Sequence, residues 1–219
     1  MMRDNTISVL FMGIFLLLTL AGNSQVDSIA TQPYKSVNIG KQLWMTENLD
    51  VSRFRNGDLI PEARTSEEWR AAVEEEKPAW CYYNNDPKNG KMYGKMYNWY
   101  AVNDPRGLAP LGWHIPSDEE WIKLAEFLGG KEIAGEKLKS TAGWEEKGNG
   151  TDANGFGGLP GGFRYYNGFF YIGKYSYFWS SSEASASSAW SRVLYYNNNS
   201  LSRYFYSKRS GFAIRCLQD

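Results

Sequence analysis

The longest apolar run lies near the start of the chain, from Val9 to Leu20 (VLFMGIFLLLTL), diluted only by Gly13 and Thr19 and preceded by Arg3. At 1.5 Å rise per residue, about twelve residues span roughly 18 Å as a helix. That is well short of the ~30 Å hydrocarbon core a membrane helix crosses. The run reads as the h-region of a signal peptide over residues 1–24. Gly22 and Ser24 supply the small residues for cleavage after Ser24, which leaves Gln25 as the mature N-terminus. No cysteine lies near the cleavage region to carry a lipid. The reading is export to a periplasmic, cell-surface or extracellular location, with no membrane span after cleavage. Residues 25–36 read as a linker and residues 37–219 as one domain.

Val37 to Leu49 predicts a first strand pair with a turn at Gly40-Lys41. Thr65 can cap a helix, and Glu68, three residues on, can complete a capping box; this helix runs to about Glu76 and stops before Pro78. The same logic recurs at Ser117-Asp118-Glu119-Glu120-Trp121. Trp121, Leu124, Ala125 and Leu128 follow at helical spacing, and Gly129-Gly130 ends the element. The Glu-Glu pairs sit in first turns, where the helix dipole favours anions, which accounts for them without acid–base chemistry. A third short helix is predicted from Ile133 to Ser140.

After Trp144 the periodicity changes. Phe163 to Tyr166 and Phe169 to Ile172 flank Asn167-Gly168, a hairpin signal for a type I′ turn. A second hairpin joins Ala189–Tyr196 to Leu201–Lys208. A last strand from Gly211 to Leu217 alternates so that Phe212, Ile214 and Cys216 share a face. Strands, then helices, then a β-rich second half predict an α+β fold rather than a βαβ parallel sheet.

Composition narrows the function classes. Lys plus Arg and Asp plus Glu number 24 each, so no basic footprint for nucleic acid is present. Phe, Trp and Tyr make up 16% of the chain, which excludes a disordered polymer. Only two cysteines occur, and in an oxidising compartment Cys81 and Cys216 are expected to pair. A bridge closing about 135 residues would contribute roughly 4 to 5 kcal/mol in the chain-entropy picture. The alternative is two separate buried thiols. With one histidine, His114, and no C-x-x-C spacing, there is no zinc signature. His114 reads as structural. Gly155 to Gly158 and Gly161-Gly162 lack a P-loop lysine and read as turns. Asp152 and Asn154, and Asn84 to Asp86, offer oxygens of the kind calcium prefers, without EF-hand spacing; ordinary Asx turns are the other reading. No other cofactor is expected.

Six motifs carry a family resemblance: Trp44 to Leu49 (WMTENL), Tyr93 to Val102 (YGKMYNWYAV), Gly112 to Ser117 (GWHIPS), Leu159 to Gly162 (LPGG), Phe178 to Ser181 (FWSS) and Gly211 to Cys216 (GFAIRC). They occur in the order seen in the Fibrobacter succinogenes major paralogous domain, which the chain resembles over nearly all of residues 37–219. That family consists of exported bacterial proteins, often lipoproteins, whose biochemical function is not established; the lipoprotein cysteine is missing here. More distantly, Ile115 to Trp121 and Gly211 to Arg215 resemble the formylglycine-generating sulfatase-modifying group. That likeness implies a C-type-lectin-like mixed fold with two or three short helices and antiparallel β hairpins. Enzymes of that group use a close pair of redox cysteines, which Cys81 and Cys216 do not reproduce.

The candidate site is aromatic. Tyr165, Tyr166, Phe170, Tyr171, Tyr175 and Tyr177 crowd one hairpin and the segment after it, and alternation forces some of them outward. Exposed rings beside polar groups such as Asn198 would stack on sugars; the other reading is an aromatic core. The leading expectation is an exported binding module with carbohydrate as its ligand and no catalysis. The alternatives are a structural or adhesion protein contacting another envelope protein, and an enzyme on a formylglycine-generating-like fold.

Overall fold

The computed structural model describes residues 34–219. The expected signal peptide over 1–24, its cleavage point and residues 25–33 of the expected linker lie outside the described residues. No helix among the described residues is long and apolar enough to cross a membrane.

The described chain is a mixed α+β structure. The predicted first pair forms as β1 (Ser36–Ile39) and β2 (Gln42–Met45), with Ile39 opposite Gln42 and the turn at Gly40-Lys41. Both capping boxes form. Thr65 and Glu68 start α1 (Ser66–Glu74), and Ser117 and Glu120 start α4 (Asp118–Phe127). The third predicted helix is α5 (Lys131–Leu138). Two further helices, α2 (Pro87–Tyr93) and α3 (Trp99–Val102), raise the count above the two or three expected. Their signals are short: Asp86 caps Lys88 N ahead of Pro87, and Asn98 caps Ala101 N.

Short strands β3 (Trp80–Cys81) and β4 (Met96–Tyr97) pair with each other. A four-stranded sheet has the order β1-β2-β11-β5, with β5 at Trp113–His114 and β11 at Leu217–Gln218. The aromatic half forms a five-stranded sheet, β10-β9-β8-β6-β7. Its strands are β6 (Gly161–Tyr165), β7 (Gly168–Ile172), β8 (Tyr175–Ser185), β9 (Ser188–Tyr195) and β10 (Leu201–Ser207).

Two expectations change here. The β6–β7 register places Tyr165 opposite Gly168, so the turn is Tyr166-Asn167, and neither residue has the positive φ that a type I′ turn requires. Packing of Phe163 on Phe170, 5.6 Å between ring centroids, accompanies this register. The closing segment is also not a continuous strand. Gly211, Phe212 and Ala213 make isolated bridges to Arg164, Tyr97 and Phe178 before β11 begins.

The alternation read for that segment nevertheless organises the core. Phe212, Ile214 and Cys216 enter one apolar cluster with Tyr97, Trp99 and Trp179. Ala213 and Leu217 enter another with Trp44, Trp121, Phe156 and Phe178. Both faces are therefore buried, and the segment runs between two clusters. Arg215 falls on the second side, its guanidinium 4.3 Å from the Phe156 ring centroid. It donates to Asn48 Oδ1 at 2.9 and 3.1 Å, to the Met45 carbonyl at 3.1 Å, to the Phe156 carbonyl, and to the Gly157 carbonyl at 3.5 Å. One side chain thereby ties β2, the loop after it and the glycine-rich loop together.

Cations recur as core groups. Among the described residues the buried charged side chains are Lys95, Lys139, Arg164, Arg192, Lys208 and Arg215, with no acid among them. Five of them cover rings: Lys95 on Trp80, Lys139 on Trp144, Arg164 on Trp69, Lys208 on Trp99 and Arg215 on Phe156. A ring face attracts a desolvated cation through its quadrupole. The high aromatic content thus serves the burial of charge as well as of apolar surface.

The expected Cys81–Cys216 bridge is absent: both residues are free, buried thiols. Cys81 shares a cluster with Trp69, Tyr83 and Met96, whereas Cys216 shares one with Tyr97 and Trp99. Met96 and Tyr97 are successive residues of β4 and point to opposite sides of it, which separates the two sulfurs. Burial pushes both thiols up to about 12, so neither is ionised near neutrality. Native protein is therefore expected to resist iodoacetamide, and unfolding without reductant should expose both cysteines to labelling by intact mass. No label after unfolding would mean a bridge.

Candidate functional site

The sequence-predicted ligand residues separate into three environments. Tyr165 and Tyr166 stand at the β6–β7 tip with ring centroids 4.7 Å apart. They line a cleft of about 350 Å³ shared with Arg70 and Glu74 of α1 and with Ser207 and Arg209. Phe170, Tyr171 and Tyr175 lie on the face of the five-stranded sheet. Tyr177 does not belong to an exposed site: it is 4% exposed and packs on Phe163 and Phe212 at 4.7 and 4.9 Å. The strand that turns Tyr175 toward the rim carries Tyr177 over the first apolar cluster.

Asn198 is exposed but belongs to the β9–β10 turn. Its Oδ1 accepts from Ser200 N and Oγ at 3.0 and 2.7 Å, and its carbonyl accepts from Lys139 Nζ at 2.9 Å. Asp152 is likewise used inside its own loop, accepting from Gly157 N at 2.8 Å. Among the described residues no group of three or more His, Cys, Asp or Glu side chains could hold a metal ion.

The sheet face is one connected set of rings. Tyr171 lies 4.6 Å from Tyr175, which lies 4.8 Å from Tyr195. Phe163 links Phe170 and Tyr171 to Tyr177, and Tyr177 meets Tyr206 at 5.5 Å. Tyr204 follows at 6.4 Å from Tyr206. Register explains the convergence: Tyr175 pairs Tyr195, and Tyr204 and Tyr206 sit opposite Ser191 and Ala189, two-residue steps along the same face of β9. Sequence reasoning missed Tyr195, Tyr204 and Tyr206. For Tyr204 and Tyr206 the signal was the i, i+2 spacing in LSRYFYS, which has meaning only once the pairing with β9 is known, and Tyr195 closes β9 itself.

Backbone strain shapes the rim. Tyr171 has φ 64°, and Gly162 across the hairpin has φ 66°. A Cβ on Gly162 would lie 2.4 Å from the Phe170 carbonyl oxygen, so only glycine fits there. The left-handed residue breaks the alternation of β7. Phe170 and Tyr171 both join the ring network, while Phe169 and Ile172 pack under the sheet on the Cys81 cluster. Tyr171 and Tyr204 are each 48% exposed, at two ends of a network whose floor is buried. Strain of this kind persists where the surroundings over-determine it and concentrates at functional positions.

The buried hydroxyls stay protonated. Burial, then the neighbouring Tyr206 phenol, pushes Tyr177 up; burial, then Tyr206 and Tyr204, does the same for Tyr195. The face thus offers flat apolar rings edged by phenol hydroxyls that both donate and accept. Tyr171→Gly is expected to change stability by less than about 1 kcal/mol, because release of roughly 1 kcal/mol of left-handed strain offsets the lost ring contacts. Urea unfolding measures this, and a loss above 2 kcal/mol would make the ring a core element.

The remaining sequence candidate is structural. His114 Nδ1 lies 2.8 Å from Asp219 Oδ1 and Nε2 lies 3.0 Å from Glu120 Oε1, while Ser117 Oγ donates to Glu120 Oε2 at 2.8 Å. Both ring nitrogens face carboxylates, so the imidazole joins β5 to the start of α4 and activates no hydroxyl.

No curated protein and no solved structure matches the chain. Residues 37–218 match the Fibrobacter succinogenes major domain, a span that takes in the sheets, the ring network and the closing segment. The chain therefore belongs to the Fibrobacter succinogenes major domain family.

Proposed function

We propose that this protein is an exported binding module that holds carbohydrate on the tyrosine face of its five-stranded sheet. The observation that carries the reading is the exposed, strained Tyr171 at the edge of a ring network whose floor is buried. Apolar sugar faces stack on such rings, and the phenol hydroxyls at the edge match sugar hydroxyls. Export is part of the proposal and rests on the apolar run at Val9–Leu20. A C-type-lectin-like arrangement is part of it too, supported by the α+β element order with short helices ahead of antiparallel hairpins. The experiment is an oligosaccharide array and a peptidoglycan pull-down with the full chain. Saturable binding to one glycan class is the expected result, and silence across both overturns the reading.

A second reading, contact with another envelope protein, has one observation in its favour. On the other face of the β9–β10 pair Phe205 is 62% exposed against Trp190, and the Arg203 guanidinium lies 3.2 Å from the Trp190 ring centroid. Trp and Arg are enriched among residues that dominate protein interfaces. Crosslinking in the native organism separates the two. An oxidase on a formylglycine-generating-like fold would need reactive thiols, and the burial of Cys81 and Cys216 argues against that use.

A further inference from the structure

Away from the tyrosine face, a cavity of about 540 Å³ opens between α2, the loop after β2 and the glycine-rich loop before β6. Arg215, Lys88 and Lys91 contribute to its wall together with Glu47 and Asp50. The charges in this wall are unevenly paired. Glu47 binds Lys35 at 2.6 Å and Asp50 binds the buried Lys95, so each acid already has its own cation. Arg215, Lys88 and Lys91 have no carboxylate partner among the described residues.

Arg215 is 1% exposed, and every hydrogen-bond acceptor it meets is a neutral oxygen. Its longest contact, Nη2 to the Gly157 carbonyl at 3.5 Å, lies where both residues line the cavity. A buried cation with no carboxylate in direct contact is costly, and burial pulls this guanidinium down to about 9 against the more distant attraction of Asp152 and Glu47. An anion entering the cavity would supply the missing charge at the site of that cost.

We propose that this cavity binds the carboxylate of a small organic acid, with Arg215 Nη2 at its base and Lys88 and Lys91 at its sides. The volume falls in the range of small-molecule sites, roughly 300 to 1,000 Å³, so the ligand is of sugar-acid size rather than a single oxyanion. The carboxylate belongs either to a free acid or to a uronic unit of a polymer. This assignment is independent of the tyrosine face.

Isothermal titration calorimetry of the full chain with glucuronate, trigalacturonate and glucose tests it. Binding of a carboxylate sugar but not of glucose is expected, weakening as salt is raised. The K88A/K91A double variant removes two exposed side chains, so its melting temperature without ligand should match the wild type while affinity falls at least tenfold. Y171G should leave this affinity unchanged. Tighter binding of trigalacturonate than of glucuronate upholds the site and identifies a polymer as source; equal binding upholds it for a free acid. Absence of binding by both acids, equal binding of glucose, or K88A/K91A behaving as wild type would overturn the proposal.

Discussion

Arg215→Met should unfold at a much lower urea concentration than the wild type, with a loss on the order of 3 to 5 kcal/mol. The methionine fills much of the volume and removes the guanidinium, but the Met45 and Phe156 carbonyls and Asn48 Oδ1 stay in place. Each buried acceptor left without a donor costs about 1 to 3 kcal/mol. Relief of the unpaired charge offsets part of this. The same substitution removes the side-chain ties from the closing segment to β2 and the glycine-rich loop, leaving the backbone bonds from Met45 N to the Cys216 carbonyl and from Leu49 N to the Ile214 carbonyl. Against a typical stability of roughly 5 to 15 kcal/mol, such a loss approaches unfolding at physiological temperature. An unchanged urea midpoint with an unchanged slope would show that these carbonyls do not depend on Arg215.

Asp118→Ala is expected to be comparably severe, by a different route. Asp118 Oδ1 accepts from Arg192 Nη1 at 2.7 Å, and its two oxygens accept from Arg203 at 2.8 to 3.0 Å. The Arg192 side chain is 2% exposed, so removing the carboxylate leaves a buried cation with only neutral acceptors. Removal of one partner from a buried pair costs about 3 to 5 kcal/mol. The pH dependence follows from the same pair. Burial pushes the Asp118 carboxyl up, but Arg203 and Arg192 outweigh it and hold its pKa below the ordinary 3.8. Its stabilisation is therefore complete above that value and is lost as pH falls through the lower folded value. Wild type and Asp118→Ala should differ most near neutrality and converge in strong acid. A gap that stays constant on acidification would assign the effect to packing rather than charge.

The elements that were legible in the sequence are those fixed locally. Thr65 with Glu68 and Ser117 with Glu120 specify helix starts through their own side chains, and both capping boxes are present. Gly40-Lys41 and Asn197 to Ser200 mark turns that form where expected. Features set by long-range packing were not legible. The β6–β7 turn moved by one residue because aromatic pairing, not the Asn-Gly dipeptide, fixes its register. The thiols stay apart because alternation along β4 separates their clusters, which spacing in sequence cannot report.

The candidate site shows the same division. Aromatic crowding was plain, but which rings face water depends on register and on one left-handed residue. Tyr177 went into the core, Tyr171 was turned to the rim against the strand period, and Asn198 was absorbed by its own turn. Tyr195, Tyr204 and Tyr206 entered from strands that a reading along the chain treats separately.

The tyrosine face as a sugar platform is tested most directly by comparing the wild type with Tyr171→Gly and Tyr204→Ala by isothermal titration calorimetry. The titrant is the glycan that binds best on an array. Both substitutions are expected to weaken binding at least tenfold while each variant keeps its cooperative unfolding transition. Wild-type affinity in both folded variants would place the glycan elsewhere and contradict it.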